Sequence, residues 1–174
     1  MDGLCGPYAI VNAYHQCDIE EDWLGEDLFA IACLAIKGWP HVLWEGTSFG
    51  QMIKMLKACQ GALQSAYEEA DTNFPIYVKY PFLKNAPGSN REYWKRFDEI
   101  FSQDDVICGI IGMEVPSEHW FAFDKCAKTL TVFDSTHPAD HGMRRMRIED
   151  IHAGVYEKKK YVINPIELIV FHNA

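Results

Sequence analysis

The order of hydrophobic periodicities along the chain predicts an α+β domain in which N-terminal helices pack on a C-terminal antiparallel sheet. Three observations carry this expectation. Up to about residue 73, apolar residues recur at three- and four-residue intervals, the spacing of one helix face. From residue 106 onward they form short unbroken or alternating runs bounded by turn residues, as strands do. No internal repeat, low-complexity tract or linker divides the two halves. Helices followed by strands, rather than alternating with them, is the α+β order. The chain of 174 residues therefore reads as a single domain, 1–174, helical over about 1–73 and mainly strand over about 74–174. That length is enough to bury a sizeable core.

The first helix is expected from Cys5 to about Gln16. Pro7 suits its first turn, where a missing N–H costs nothing. A second helix is expected over residues 22–37, with Trp23, Leu24, Leu28, Ile31, Ala32 and Ala35 at helical spacing and Gly38 as its stop. The stretch "TSFGQMIKMLKACQG" predicts a third. Ser48 and Gln51 form a capping box, and Phe49, Met52, Ile53, Leu56 and Cys59 line one face. "FPIYVKY" (74–80) reads as the first strand. After the loop "LKNAPGSNR", Ser89 and Glu92 cap a helix carrying Tyr93, Trp94, Phe97, Ile100 and Phe101. "VICGIIGM" (106–113), "HWFAFD" (119–124) and "TLTVFD" (129–134) are the next strands, the last two joined by "KCAK" into a hairpin. A polar loop with a short helix near 148–153 then leads to "YVI" and "IELIVFH", two closing strands.

Composition narrows the function classes. Hydrophobic residues make up 48% and charged ones 24%, the balance of a globular protein rather than a disordered one. The net charge of −9 argues against nucleic acid as a partner, because phosphate binding needs a basic face. "RRMR" (144–147) and "KKK" (158–160) read as solvated faces. No segment approaches the ~18 apolar residues of a membrane span. Asp2 and Cys5 interrupt any signal-peptide order at the start, so a cytoplasmic location is expected, or export without a signal of that type. Six cysteines, with no C-x-x-C pair, fit a reducing compartment. Cys17, Cys33, Cys59 and Cys108 occupy apolar positions and are expected to be small core residues.

Cys5 is different, because it stands at a helix start. Unpaired N–H groups and the macrodipole give that position a positive potential. A thiol becomes an effective nucleophile when such a potential, or an adjacent base, favours the thiolate. Among seven histidines the best base is His119, where "PSEHWFAFD" passes from turn to strand. Antiparallel pairing of 119–124 with 129–134 brings Asp134, at the end of the second strand, beside His119 at the start of the first. A carboxylate there fixes the imidazole tautomer. The three residues together predict a Cys-His-Asp triad.

"CGPYAIVNA", "TSFGQMIKMLKACQG" and "HWFAFDKCAKTLTVFDS" resemble the Cys, helix and His/Asp landmarks of papain-like cysteine peptidases. The likeness is closest to the bacterial branch that includes peptidase domains cleaving double-glycine leader peptides. The resemblance implies a papain-like fold, a peptide or protein substrate and no cofactor. It implies a peptide or isopeptide bond cut through a thioester, with Cys5 as nucleophile, His119 as base and Asp134 as its orienting partner. Such enzymes usually place a glutamine several residues before the cysteine to bind the oxyanion. The residues just before Cys5 here, Met1 to Leu4, hold none. The backbone N–H of Cys5 supplies one donor, and Asn12, Gln16 or Gln51 are candidates for the other. Trp120, Trp39 and Trp44 are candidate cleft residues. Transglutaminases and arylamine acetyltransferases share the Cys, His, Asp order, so an amine in place of water is the alternative reaction. A non-catalytic binding module on the same scaffold is a third reading. "HPADH" sets His137 and His141 at H-x₃-H spacing around Asp140, but Pro138 and Gly142 favour a loop and no third ligand has a recognisable offset, so no metal is expected. His15, His41, His152 and His172 show no partner pattern.

Overall fold

A computed structural model describes residues 3–19, 24–36, 45–134, 143–155 and 158–174. The chain forms α1 (Cys5–Gln16), α2 (Leu24–Ala35), α3 (Phe49–Glu69), β1 (Ile76–Lys79) and α4 (Asn90–Ile100). There follow β2 (Val106–Val115), β3 (His119–Cys126), β4 (Thr129–Phe133), β5 (Met143–Arg147), a 3₁₀ turn at Ile148–Asp150, β6 (Ile151–Ala153) and β7 (Tyr161–Asn173). This is an α+β fold built on one seven-stranded sheet in the order β1-β7-β2-β3-β4-β5, with β6 beside β7. All pairs are antiparallel except β6–β7, which is parallel. Among the described residues no helix is long and apolar enough to cross a membrane.

The local start signals act as expected. Ser48 accepts from the backbone N–H of Gln51, while the Gln51 side chain accepts from Ser48 N at 2.8 Å, a reciprocal cap for α3. At α4 the Ser89 hydroxyl accepts from Glu92 N, but the Glu92 carboxylate reaches back to Gly88 N instead of Ser89 N. Residues 22, 23, 37 and 38, which bounded the expected second helix, lie outside the described residues.

Four expectations need sharpening or correction. The expected packing of helices on the sheet occurs on both of its sides. α1, α2 and α3 bury Ile10, Ala13, Met52, Leu56 and their neighbours against Cys108, Ile110, Ala122 and Ile169. On the reverse, Tyr93 and Phe97 of α4 pack with Phe82 against Phe121, Phe123, Leu130 and Val132. Second, the two closing strands are one strand, β7, interrupted by a detour. Its register against β2 jumps from Ile111↔Leu168 to Met113↔Ile163, so residues 164–167 bow out of the ladder. Asn164 and Pro165 are the turn signal that divided the apolar runs, and here they shape a bulge. Third, "RRMR" belongs to β5, an edge strand on β4 whose Met146 is buried. Fourth, the β3–β4 hairpin is two residues tighter than "KCAK" implied. It turns at Ala127 and Lys128, with Ala122 paired to Phe133. An even shift leaves every side chain on its expected face.

Candidate active site

α1 carries small residues where it meets the sheet. Gly6, Ala9 and Ala13 are buried, and the helix lies across β3 and β2. That packing delivers its N-terminus to the start of β3. Leu4, at the cap position, makes no side-chain cap bond. The first-turn N–H groups therefore have no acceptor from that side chain. Gly6 permits a close approach: a Cβ at this position would lie 2.7 Å from Thr47 Oγ1. The Thr47 hydroxyl donates to Gly3 O at 3.4 Å, so segment 45–48 closes against the helix start and stands beside Cys5.

His119 opens β3 and is 5% exposed. Asp134, one residue beyond β4, is 3% exposed. The tighter hairpin leaves Asp134 past the last ladder pair, so the two meet diagonally rather than across a pair. His119 Nε2 lies 3.0 Å from Asp134 Oδ1. This is an ion-pair distance without hydrogen-bond alignment, since neither ring nitrogen has an in-line partner among the described residues. Attraction between charges depends chiefly on separation, so it survives the poor angle. Burial by itself would lower the imidazole pKa. The Asp134 carboxylate and the Cys5 thiol outweigh it and raise the value from 6.5 to about 9. The carboxylate and the sulfur both lie in reach of the ring.

Arg144 is a site residue that sequence reasoning missed. Its Nη2 lies 3.6 Å from Asp134 Oδ2, and its guanidinium sits 5.9 Å from the Tyr161 ring centroid. One carboxylate oxygen thus faces the imidazole and the other a guanidinium. The available signal was the alternation in "MRRMR", which sets Arg144 and Met146 on one side of the strand.

Cys5, His119 and Trp120 border a cleft of about 600 Å³. Its other walls are segment 45–48 with Gln51, the far end of β2 from Gly112 to Glu114, and Asn164 and Glu167 from the β7 detour. Behind it, Cys5, His119 and Asp134 also border a small void with Asn12 and Phe133. The expected oxyanion donors separate. Gln51 lines the cleft, with its oxygen spent on the α3 cap and its amide N–H₂ group the end an oxyanion needs. Asn12 donates to Phe133 O at 3.3 Å, on the void behind Cys5 and His119. Gln16 ends α1, about 16 Å of helix rise from Cys5, and borders neither space. Trp120 is buried, donates its indole N–H to Thr47 O and stacks on Phe49 at 5.9 Å. It holds the wall in place.

The other thiols stand in different surroundings. Cys17 and Cys108 are buried and both donate to Ala13 O, at 3.3 and 3.4 Å. Burial pushes Cys59 up to about 12 and raises Cys33, while Cys108 is raised first by its hydrogen bond with Cys17 and then by burial. Cys33 is half-buried rather than core, and Cys126 is exposed at the hairpin turn. His172 finds a partner its sequence context did not reveal, Asp105 at 3.0 Å, in a half-buried pin between β7 and the turn before β2. Trp39, His41, Trp44, His137, Asp140 and His141 lie outside the described residues. Among the described residues no three His, Cys, Asp or Glu side chains are placed to hold a metal ion. Compared with known proteins, the chain matches no family model, no curated protein and no solved structure.

Proposed function

We propose that the chain is a cysteine hydrolase of papain-like fold, cleaving a peptide or isopeptide bond through a thioester. Cys5 is the nucleophile, His119 the general base and then acid, and Asp134 the group that orients the ring. One observation carries the reading: Cys5, the buried His119 and Asp134 border one small void, with the imidazole 3.0 Å from the carboxylate, although 129 positions separate the cysteine from the aspartate. With Nε2 turned to Asp134, Nδ1 serves the sulfur. The sulfur bonds the carbonyl carbon, and its proton resides on His119. The carbonyl oxygen takes the negative charge, within the positive potential of the α1 start. The amine then leaves with the proton from His119. Water attacks the thioester while His119 takes its proton, and the acid and the thiol are released.

The test is brief exposure to iodoacetamide near neutral pH, followed by mass spectrometry. Cys5 is expected to be alkylated ahead of the other five thiols, and Cys5→Ala to abolish acylation by a thiol-reactive substrate analogue with circular dichroism unchanged. Acylation that persists in that variant would remove Cys5 from the mechanism.

A further inference from the structure

We infer that Arg144 is a positioning residue of the site: its guanidinium holds Asp134 as a carboxylate, with Oδ1 toward His119, through the half of the reaction in which the imidazole is neutral. The inference rests on the acyl-transfer reading above. It extends the site from β3 and β4 to the edge strand β5.

The sheet register sets the three side chains in line. Arg144 stands opposite Val132, two residues before Asp134, so a long side chain on that face reaches Asp134 diagonally. Its Nη2 comes to 3.6 Å from Asp134 Oδ2, while His119 Nε2 lies 3.0 Å from Oδ1. The carboxylate therefore stands between an imidazole and a guanidinium, one on each oxygen. Burial makes the second partner matter. The Asp134 side chain is 2% exposed, so water does little to stabilise its charge. Across the small void Asp134 also faces Cys5 and Tyr8 of α1, and neither of those groups is a cation.

His119 cannot be a constant partner. As general base it takes a proton and as general acid it gives that proton up, so the ring charge comes and goes within one turnover. A buried carboxylate left without a cation at the neutral stage would take up a proton itself. It would then no longer offer the ring a negative oxygen, and the tautomer would be fixed less firmly. A guanidinium keeps its proton at any pH that a folded protein tolerates. Arg144 thus supplies the charge that persists while the imidazole changes. No proton passes to or from it; the proton moves only among sulfur, ring, leaving amine and water. The Tyr161 ring, 5.9 Å from the guanidinium, gives the cation an aromatic neighbour that favours it.

The experiment follows the Asp134 carboxyl by carbon NMR through a pH titration, the signal being assigned by its loss in Asp134→Asn. In Arg144→Gln the carboxyl is expected to bind its proton at least about tenfold more tightly than in the parent. His119→Gln imitates the neutral ring, and adding Arg144→Gln to it should have a larger effect still. Should that double variant not fold, the comparison in the parent background decides alone. Turnover of p-nitrophenyl acetate should fall by about tenfold or more in Arg144→Gln. The contact is made by one nitrogen, so Arg144→Lys, which keeps the charge, should recover turnover to within about threefold of the parent. In an Asp134→Asn background, Arg144→Gln should change turnover by less than about twofold. An Asp134 titration indifferent to Arg144 overturns the inference. So does an equal loss of turnover with and without the carboxylate, the mark of a β5 that merely packs. A parent chain that neither turns over the ester nor lets iodoacetamide select Cys5 overturns the acyl-transfer reading, and the positioning role with it, even where the titration confirms the ion pair.

Discussion

The two faces of the sheet are built differently. The face under α4 is a ring-on-ring core: Phe97 stacks on Phe101 at 4.4 Å and on Phe123 at 5.8 Å, and Tyr93 meets Phe82 at 5.1 Å. The face under α1 mixes small residues, Ala9 and Ala13, with Ile10 and with Tyr14, whose ring meets Phe171 edge-on at 5.2 Å. Large rings fill volume and hold an element at a distance, whereas small residues let a helix come close enough for its end to reach a strand start. Both faces carry a core, and on one of them the small residues set the start of α1 against the start of β3.

The largest effect that tests this contrast is Phe97→Ala. The side chain is fully buried, so its loss should cost about 3–5 kcal/mol in urea unfolding. Selective alkylation of Cys5 should survive in whatever fraction remains folded. Loss of that selectivity at full folding would show that the aromatic face also positions the site.

A middle-sized effect concerns pH. His119 is raised in the folded state, so its contribution to stability is complete below pH 6.5 and is lost as pH rises through about 9. The unfolding free energy from denaturant titrations should therefore fall across that interval by on the order of 3 kcal/mol. Asp134→Asn, which removes the principal carboxylate partner, should flatten the fall. An unchanged slope would mean that Asp134 does not set the charge on the ring.

The smallest effect lies at the hairpin turn, away from both cores. Ala127 adopts φ 52°, a left-handed conformation that its Cβ disfavours. Ala127→Gly should add about 0.5–1 kcal/mol and leave Cys5 reactivity as it is. A destabilised variant would show that the turn is not strained.

What the sequence disclosed follows from the range of the interactions involved. The caps at Ser48 and Ser89 are completed within four residues, so they were legible. So was the hairpin, whose alternation and turn lie within sixteen residues, and with it the approach of Asp134 to His119. Arg144 was not legible as a site residue, because its role depends on β5 lying beside β4. β5 itself was hidden because its charged residues obscured one buried methionine. The fit of Thr47 against Gly6, and the gathering of Glu114, Glu118 and Glu167, depend on residues more than forty positions apart meeting in space. No local pattern encodes such meetings. Asn164 and Pro165 separate the two apolar runs, but such a break does not reveal whether the strand resumes on the same neighbour.

The interruption of β7 has a consequence for how such a protein can change over generations. Pairing fastens the strand on both sides of residues 164–167, at Ile163 and at Leu168. Lengthening or shortening that short excursion alters what the cleft accepts while the alignment of the sheet on either flank is kept. Selectivity can therefore drift through insertions and deletions at one spot, with no need to redesign the scaffold that holds the sulfur and the imidazole together.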